Sequence, residues 1–163
     1  MNTNSKQQFN ILIFGASYGS LLASKLALAG HNANLVCLPV EVELINTVGT
    51  RVRLPIKGRE GLVEIDSRKL PGKISAATPE NVNLTNFDLV VLAMQEPQYG
   101  APAVRALLEA VAIAHIPTMS IMNMPPLPYL ARIPGLNANN YRDCYTAPEV
   151  WDKFDPKFMT LSR

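Results

Sequence analysis

Phe9-Asn-Ile-Leu-Ile-Phe14 runs into Gly15-Ala-Ser-Tyr-Gly19 and then into Ser20-Leu-Leu-Ala-Ser-Lys-Leu-Ala-Leu-Ala29. The stretch closes on Gly30-His31, and a second apolar run, Ala33-Asn-Leu-Val-Cys37, follows. The apolar residues after Asn10 predict a strand over Asn10–Phe14 buried on both faces, as in a parallel sheet. Ser20–Ala29 reads as a helix that is apolar almost all round, Lys25 being the main exception, and therefore as one packed on several sides. Gly30 is a suitable stop, and a second strand is predicted over Asn34–Leu38, ending at Pro39. A strand, a glycine turn and a helix in this order bring backbone N–H groups and a helix N-terminus to one point, which suits a phosphate or another anion. The same letters also spell G-x-S-x-G, the nucleophile elbow of serine hydrolases, with Ser17 as the nucleophile.

Further along, Val40–Val48 is predicted as a short helix with Leu44, Ile45 and Val48 on one face and Gly49 as its stop. Thr50–Ile56 and Gly61–Ile65 alternate apolar and polar residues around Lys57-Gly-Arg-Glu60, the pattern of a half-exposed hairpin, with Pro55 on an edge. Arg51, Arg53, Lys57 and Arg59 could gather an anion there, but a solvated hairpin face explains them more simply. Ile74–Ala77, Phe87–Met94 and Pro117–Met122 read as strands, and Ala101–Ala114 as a helix with Val104, Leu107, Leu108, Val111 and Ala112 at helical spacing. Four prolines between Pro125 and Pro134 break the last part. Pro148–Phe154 is expected to form two turns of helix and Lys157–Leu161 a final strand, after which the chain stops abruptly, as though cut at a domain edge. Buried strands alternating with helices mean a parallel sheet with right-handed crossovers. The expected class is α/β: a Rossmann-type doubly wound, mainly parallel sheet with helices on both faces and a small β-hairpin insertion.

With 163 residues, 48% hydrophobic and 17% charged, the chain has material for one real core. A net charge of +2 is too small to imply a nucleic-acid or membrane partner. Cys37 and Cys144 form no C-x-x-C pair and lie far from both histidines, so neither a metal site nor a disulfide framework is expected. Cys37 reads as a small core hydrophobe. Residues 1–8 read as a loose polar tail without the apolar stretch of a signal peptide, and no run reaches the ~18 apolar residues of a membrane span. A cytoplasmic location is the default expectation.

The hydrolase reading needs partners for Ser17, and Asp88 and His115 follow it in the order Ser…Asp…His. Strand polarity opposes them. Ser17 lies past the carboxyl end of the first strand, whereas Asp88 and His115 precede the starts of theirs, and His31 follows the first helix to the same far edge. A five-residue strand separates the two edges by roughly 15 Å, and a triad needs contacts of about 3 Å. The anion reading needs only the turn. Gly15 permits it, Gly19 lets the chain enter the helix closely packed, and the N–H groups of Ala16, Ser17, Tyr18, Gly19 and Ser20 would face a pyrophosphate. Ligands of open α/β sheets bind beyond the carboxyl ends of the strands. Besides the turn, those ends carry Leu38, Met94, Gln95, Glu96, Gln98 and Asn123, whose polar members can bond a ribose, an amide or a substrate. No Tyr-x-x-x-Lys pair is present, which excludes the short-chain dehydrogenase pattern.

Ile11-Leu-Ile-Phe-Gly15, Gly19-Ser-Leu-Leu-Ala23, Leu28-Ala-Gly-His-Asn-Ala-Asn-Leu-Val36, Phe87-Asp-Leu-Val-Val-Leu-Ala93 and Ile121-Met-Asn-Met124 together resemble the N-terminal domain of ketopantoate reductases (2-dehydropantoate 2-reductases), in the 6-phosphogluconate-dehydrogenase-like group. The resemblance covers about Asn10 to Pro126. It implies an NADP or NAD cofactor held by Gly15–Ser20, Leu38, Met94, Gln95 and Asn123, and a small 2-keto acid substrate reduced by hydride transfer. It also implies a helical C-terminal domain carrying the catalytic lysine, for which these residues hold no counterpart; an apolar surface left uncovered by it would favour a homodimer. The sequence departs from the family at the turn, which is one residue short of G-x-G-x-x-G and has Ser17 for the second glycine. Cys37 and Leu38 stand where an arginine would hold a 2′-phosphate, with no Asp or Glu in its place, and Gln95 stands where the family has a lysine. A non-catalytic Rossmann module, a nucleotide sensor or an interaction domain, is the alternative.

Overall fold

The computed structural model describes residues 7–162. Six of the tail residues expected at 1–8 lie outside that range. Of the other two, Gln8 is tied to the domain by its side-chain amide, which donates to the Gly30 carbonyl at 2.8 Å.

Eight strands form: β1 (Asn10–Phe14), β2 (Asn32–Val36), β3 (Arg51–Pro55), β4 (Leu62–Asp66), β5 (Ile74–Ala77), β6 (Leu89–Leu92), β7 (Thr118–Ser120) and β8 (Met159–Leu161). Six of them make one parallel sheet in the order β5-β2-β1-β6-β7-β8, and β3 and β4 make a separate antiparallel hairpin. Numbered within the main sheet alone, the order is 3-2-1-4-5-6, that of doubly wound dinucleotide-binding folds, with the reversal between β1 and β6.

The strands alternate inward residues to two cores, as their period of two requires. Leu12, Phe14, Val90 and Leu92 face a core closed by α3 (Pro102–Ile113), Tyr99, Trp151 and Phe154. Ile11, Ile13, Leu35 and Val91 face the opposite core, closed by α1 (Gly19–Leu28) and α2 (Pro39–Val48). Helices therefore cover both faces, as expected.

Several local expectations are corrected. α1 is packed on one side only: its buried residues are Gly19, Ala23, Ser24 and Ala27, while Leu21 and Leu28 are exposed. Small residues let the helix lie close to the sheet, which turns its larger leucines outward. In α2 only Ile45 is buried; Leu44 and Val48, expected on the same face, are exposed. β2 begins and ends two residues earlier than expected. Asn32 and Asn34 fit inside it because their amides donate to Asn10 Oδ1 and Ser75 Oγ, each at 2.9 Å. Cys37 and Leu38 consequently fall beyond the strand. β6 and β7 are shorter than their apolar runs, Pro148–Trp151 is a 3-10 turn, and β8 covers only the end of its predicted segment.

The hairpin's basic residues behave as a solvated face. Arg53 pairs with Glu64 across the strands at 3.0 Å, both exposed. Such a pair contributes little.

The closest backbone approach is at Gly72, where an added Cβ would lie 1.9 Å from the His31 carbonyl oxygen. Gly72→Ala is expected to cost about 3 kcal/mol or more, beyond ordinary overpacking because the obstacle is backbone. Gly58→Ala, at φ +84° with open space around it, is expected to cost only about 1–2 kcal/mol. Urea denaturation of the two variants checks the contrast.

Candidate functional site

β1 delivers the chain to Gly15 at φ +100°, a conformation that glycine tolerates and L side chains rarely adopt. A Cβ there would also meet Met94 Cγ at 3.0 Å and the Ala93 carbonyl oxygen at 3.1 Å, so the turn lies against the end of β6. Gly15 N–H donates to the Val36 carbonyl at 2.9 Å, tying the turn to β2 as well. At Gly19 a Cβ would lie 2.8 Å from Ile13 Cγ2 and 3.1 Å from Leu35 Cδ2. The two glycines thus permit the tight turn and the close helix start expected of them.

Between them, the N–H groups of Ala16, Ser17, Tyr18 and Gly19 have no acceptor among the described residues. They stand at the positive end of the ten-residue α1. Ser20 does not add its hydroxyl to them: Ser20 Oγ donates inward to the Ala16 carbonyl at 2.5 Å.

A cleft of about 810 Å³ opens beyond this turn, at the carboxyl ends of β1, β2, β5 and β6. Of the expected contact residues, Gly15, Ala16, Ser17, Tyr18, Leu38, Met94 and Gln95 line it, and Gln98 joins them. Gly19 and Ser20 lie behind the wall. Asn123, beyond β7, is exposed and contributes nothing to the cleft. Glu96 is also turned away. It is buried, and both its carboxylate oxygens accept the Thr146 N–H, at 3.1 and 3.2 Å, pinning the late chain to the loop after β6.

Three polar wall residues were not anticipated: Glu41, Thr78 and Glu80. The Glu41 carboxylate accepts the Leu38 N–H at 3.0 Å, while the Glu41 N–H donates to the Leu38 carbonyl at 2.9 Å. The spacing is that of a capping box, concealed in the sequence because Leu38 stands where Ser or Thr would advertise it. Cys37 and Leu38 do stand directly after the second strand, as expected, and Glu41 on the first turn of α2 brings a carboxylate to the cleft beside them. Thr78 and Glu80 follow β5, an edge strand too short to draw attention to its end.

Cys37 forms part of the cleft floor, and burial, with the Glu41 charge beside it, pushes its thiol up to about 11. The remaining wall is shaped by Tyr99. Fully buried against Phe14 and Trp151, it accepts the Met94 N–H through its hydroxyl at 3.1 Å and so fixes the loop over the cleft.

The serine-hydrolase arrangement does not form. Asp88 Oδ2 accepts the Asn10 N–H at 2.8 Å at the start of β1, the edge opposite Ser17. His115 stacks on Phe158 beyond the end of α3, with ring centroids 5.0 Å apart. Among the described residues no three His, Cys, Asp or Glu side chains cluster to hold a metal, and no helix is long and apolar enough to cross a membrane.

No family model and no curated protein matches the sequence. Solved structures do match. One is of a protein assigned as a 2-dehydropantoate 2-reductase from Bacillus subtilis, 20% identical, covering 75% of this chain and 35% of that one, with a TM-score of 0.51. Another is of a protein assigned as a ketopantoate reductase from Ralstonia solanacearum MolK2, 20% identical, covering 96% of this chain and 46% of that one, with a TM-score of 0.57. The chain thus spans less than half the length of either, and at these identities the likeness establishes the shared Rossmann-type fold.

Two consequences can be measured. Tyr99→Phe leaves the Met94 N–H without its acceptor and is expected to cost about 1–3 kcal/mol, with loss of order in the loop after β6 visible by hydrogen exchange at Met94. The pH dependence follows from Cys37 and Tyr145, held protonated to about 11 and about 12 against ordinary values of 9.0 and 10.0. Above pH 9 the unfolded chain has released protons that the folded chain keeps. Stability is therefore expected to be full below pH 9 and to fall as the pH rises through 11. Thermal melting from pH 8 to 11 checks this, and Cys37→Ser should flatten the early part of the decline.

Proposed function

We propose that residues 9–163 are the cofactor-binding domain of an NAD(P)-dependent oxidoreductase of the ketopantoate-reductase type, acting on a small 2-keto acid. The observation that carries this reading is the set of acceptorless N–H groups from Ala16 to Gly19 at the N-terminus of α1. They open on a cleft at the place where the strand order reverses. The site fits a pyrophosphate in its essentials. Gly15 keeps side-chain bulk away from the turn, the Ala16, Ser17 and Tyr18 donors are unclaimed at the cleft wall, and the room beyond is of the size that nucleotide-like ligands occupy. Ser17, which replaces a glycine of the family pattern, is exposed, so its hydroxyl is free to serve as a further donor.

When bound, the nicotinamide supplies or accepts the hydride. The chain's own residues bind and orient. The Ala16–Gly19 amides take the diphosphate, Met94 and the apolar side chains of Leu38 and Val104 exclude water, and Gln95 and Gln98 offer polar contacts at the β6 end. Among the described residues no lysine, arginine or histidine lines the cleft, so proton delivery to a ketone oxygen falls to a residue elsewhere. That same observation favours the second reading, a Rossmann module that binds a nucleotide without turnover.

Binding by the 163-residue chain tests the common part of both readings. At a hundred times its dissociation constant, a dinucleotide is expected to stabilise the fold by about 2.7 kcal/mol, read as a rise in melting temperature. No rise with NAD(H) or NADP(H) at millimolar concentration would overturn both. Turnover of a 2-keto acid by the chain would remove the module reading.

A further inference from the structure

The charges in the cleft are all of one sign. Glu41 and Glu80 line it, and among the described residues no cationic side chain does. Both acids sit on the β2–β5 side of the reversal in strand order, away from the α1 N-terminus that would hold a diphosphate. In doubly wound folds this side receives the adenosine ribose, and an acid just after the second strand accepts its 2′-hydroxyl.

Glu41 is prepared for that task. Its carboxylate is fixed by the Leu38 N–H at 3.0 Å through Oε2. Oε1 receives no hydrogen bond from the described residues and is free to accept another. A 2′-phosphate at the same place would meet this carboxylate, with that of Glu80 on the same side of the cleft, and no guanidinium or ammonium of the described residues lines the cleft to compensate. Like charges brought together in a partly enclosed site oppose binding strongly.

We propose that the cleft selects an adenine dinucleotide with a free adenosine 2′-hydroxyl, NAD(H) or its ADP-ribose portion, against the 2′-phosphorylated forms, with Glu41 as the specificity-determining residue. The inference rests on the cofactor-binding reading above and reverses the NADP preference implied by the family resemblance. It needs the turn before α1 and the β2–β5 half of the cleft but not the β6 end, so ADP-ribose is expected to bind without the nicotinamide.

The test is calorimetric titration of the full chain with NADH, NADPH, ADP-ribose and 2′-phospho-ADP-ribose at low, fixed salt. Loss of one charge-assisted hydrogen bond corresponds to roughly 10- to 100-fold in affinity. The unphosphorylated ligand of each pair is expected to bind tighter by at least that factor. Glu41→Gln is expected to narrow the ratio about tenfold or more, chiefly by tightening NADPH, while Glu43→Gln, on an exposed position outside the cleft wall, leaves it unchanged. If Glu41→Gln melts early because the contact to Leu38 is weakened, Glu80→Gln provides the second measurement, with the same direction expected. Equal or tighter binding of the phosphorylated ligands would overturn the inference and leave the cofactor-binding proposal standing, as would a preference for NADH that survives both Glu substitutions. Failure of all four ligands to bind the folded chain would overturn the cofactor-binding proposal itself, and the inference with it.

Discussion

The ligand edge depends on how closely α1 approaches the sheet at Gly19, where a β-carbon would stand 2.8 Å from Ile13 and 3.1 Å from Leu35. The approach continues along the helix through Ala23 and Ala27, both fully buried. Small side chains at the centre of this face, flanked by the partly buried Leu22 and Leu26, let the helix lie low over β1 and β2. Its first turn therefore ends at the sheet edge rather than above it. That placement sets the Ala16–Tyr18 turn, with its unclaimed N–H groups, at the cleft wall, and it fixes the turn against Ala93 and Met94 on one side and Val36 on the other. The outward leucines of α1 are the consequence of the same constraint. With glycine and alanine at the closest contacts, Leu22 and Leu26 reach the core only at its flanks and Leu21 and Leu28 are left exposed.

Most of the fold could be read from local pattern because it is written in local pattern. Apolar runs over Asn10–Phe14 and Phe87–Met94, a helical repeat in Ala101–Ala114 and a glycine at each end of α1 determine elements without reference to distant partners, and strand polarity then excluded Asp88 and His115 as partners of Ser17. The misreadings have other causes. The start of β2 depends on cross-strand amide bonds from Asn32 and Asn34, to Asn10 and Ser75, which no single segment announces. Glu41 enters the cleft through a helix start whose first residue, Leu38, has no capping side chain. Glu96 looks like a ligand group by position, but its acceptors are claimed by Thr146, fifty residues on. Asn123 ends an apolar strand as expected, yet the cleft stops at the β6 end and does not extend over β7. The errors at Asn32, Asn34 and Glu96 lie where a contact between remote segments decided the outcome, whereas that at Glu41 turns on a local contact with a residue that has no capping side chain.

The two cores communicate with the site unequally. The core under α1 and α2 meets it through backbone, at Gly15 and along the β2 exit. The core under α3 meets it through side chains: Met94 and Val104 pack on that core and line the cleft, and behind them Tyr99, its ring packed between Phe14 and Trp151, holds the Met94 amide through its hydroxyl. A phenol that is fully buried and keeps only this one contact is a rigid strut, since any shift of the ring would both unpack the aromatic cluster and release the amide. The loop after β6 is thereby fixed from behind by the core, and from its own chain by the Gln98 side chain, which accepts the Gln95 N–H at 2.8 Å.

The resulting cleft has direction. Amide donors and the helix dipole stand at one end, and the carboxylates of Glu41 and Glu80 at the other, with apolar side chains and the protonated Cys37 thiol between them. A ligand that is anionic in its middle and hydroxyl-bearing beyond fits this arrangement in one orientation; reversed, it would place its anion against the acids and its hydroxyls against donors already oriented for charge. The floor of Cys37 and Leu38 carries no cation, so a phosphate placed there would meet the Glu41 carboxylate three residues further along without a compensating charge among the described residues.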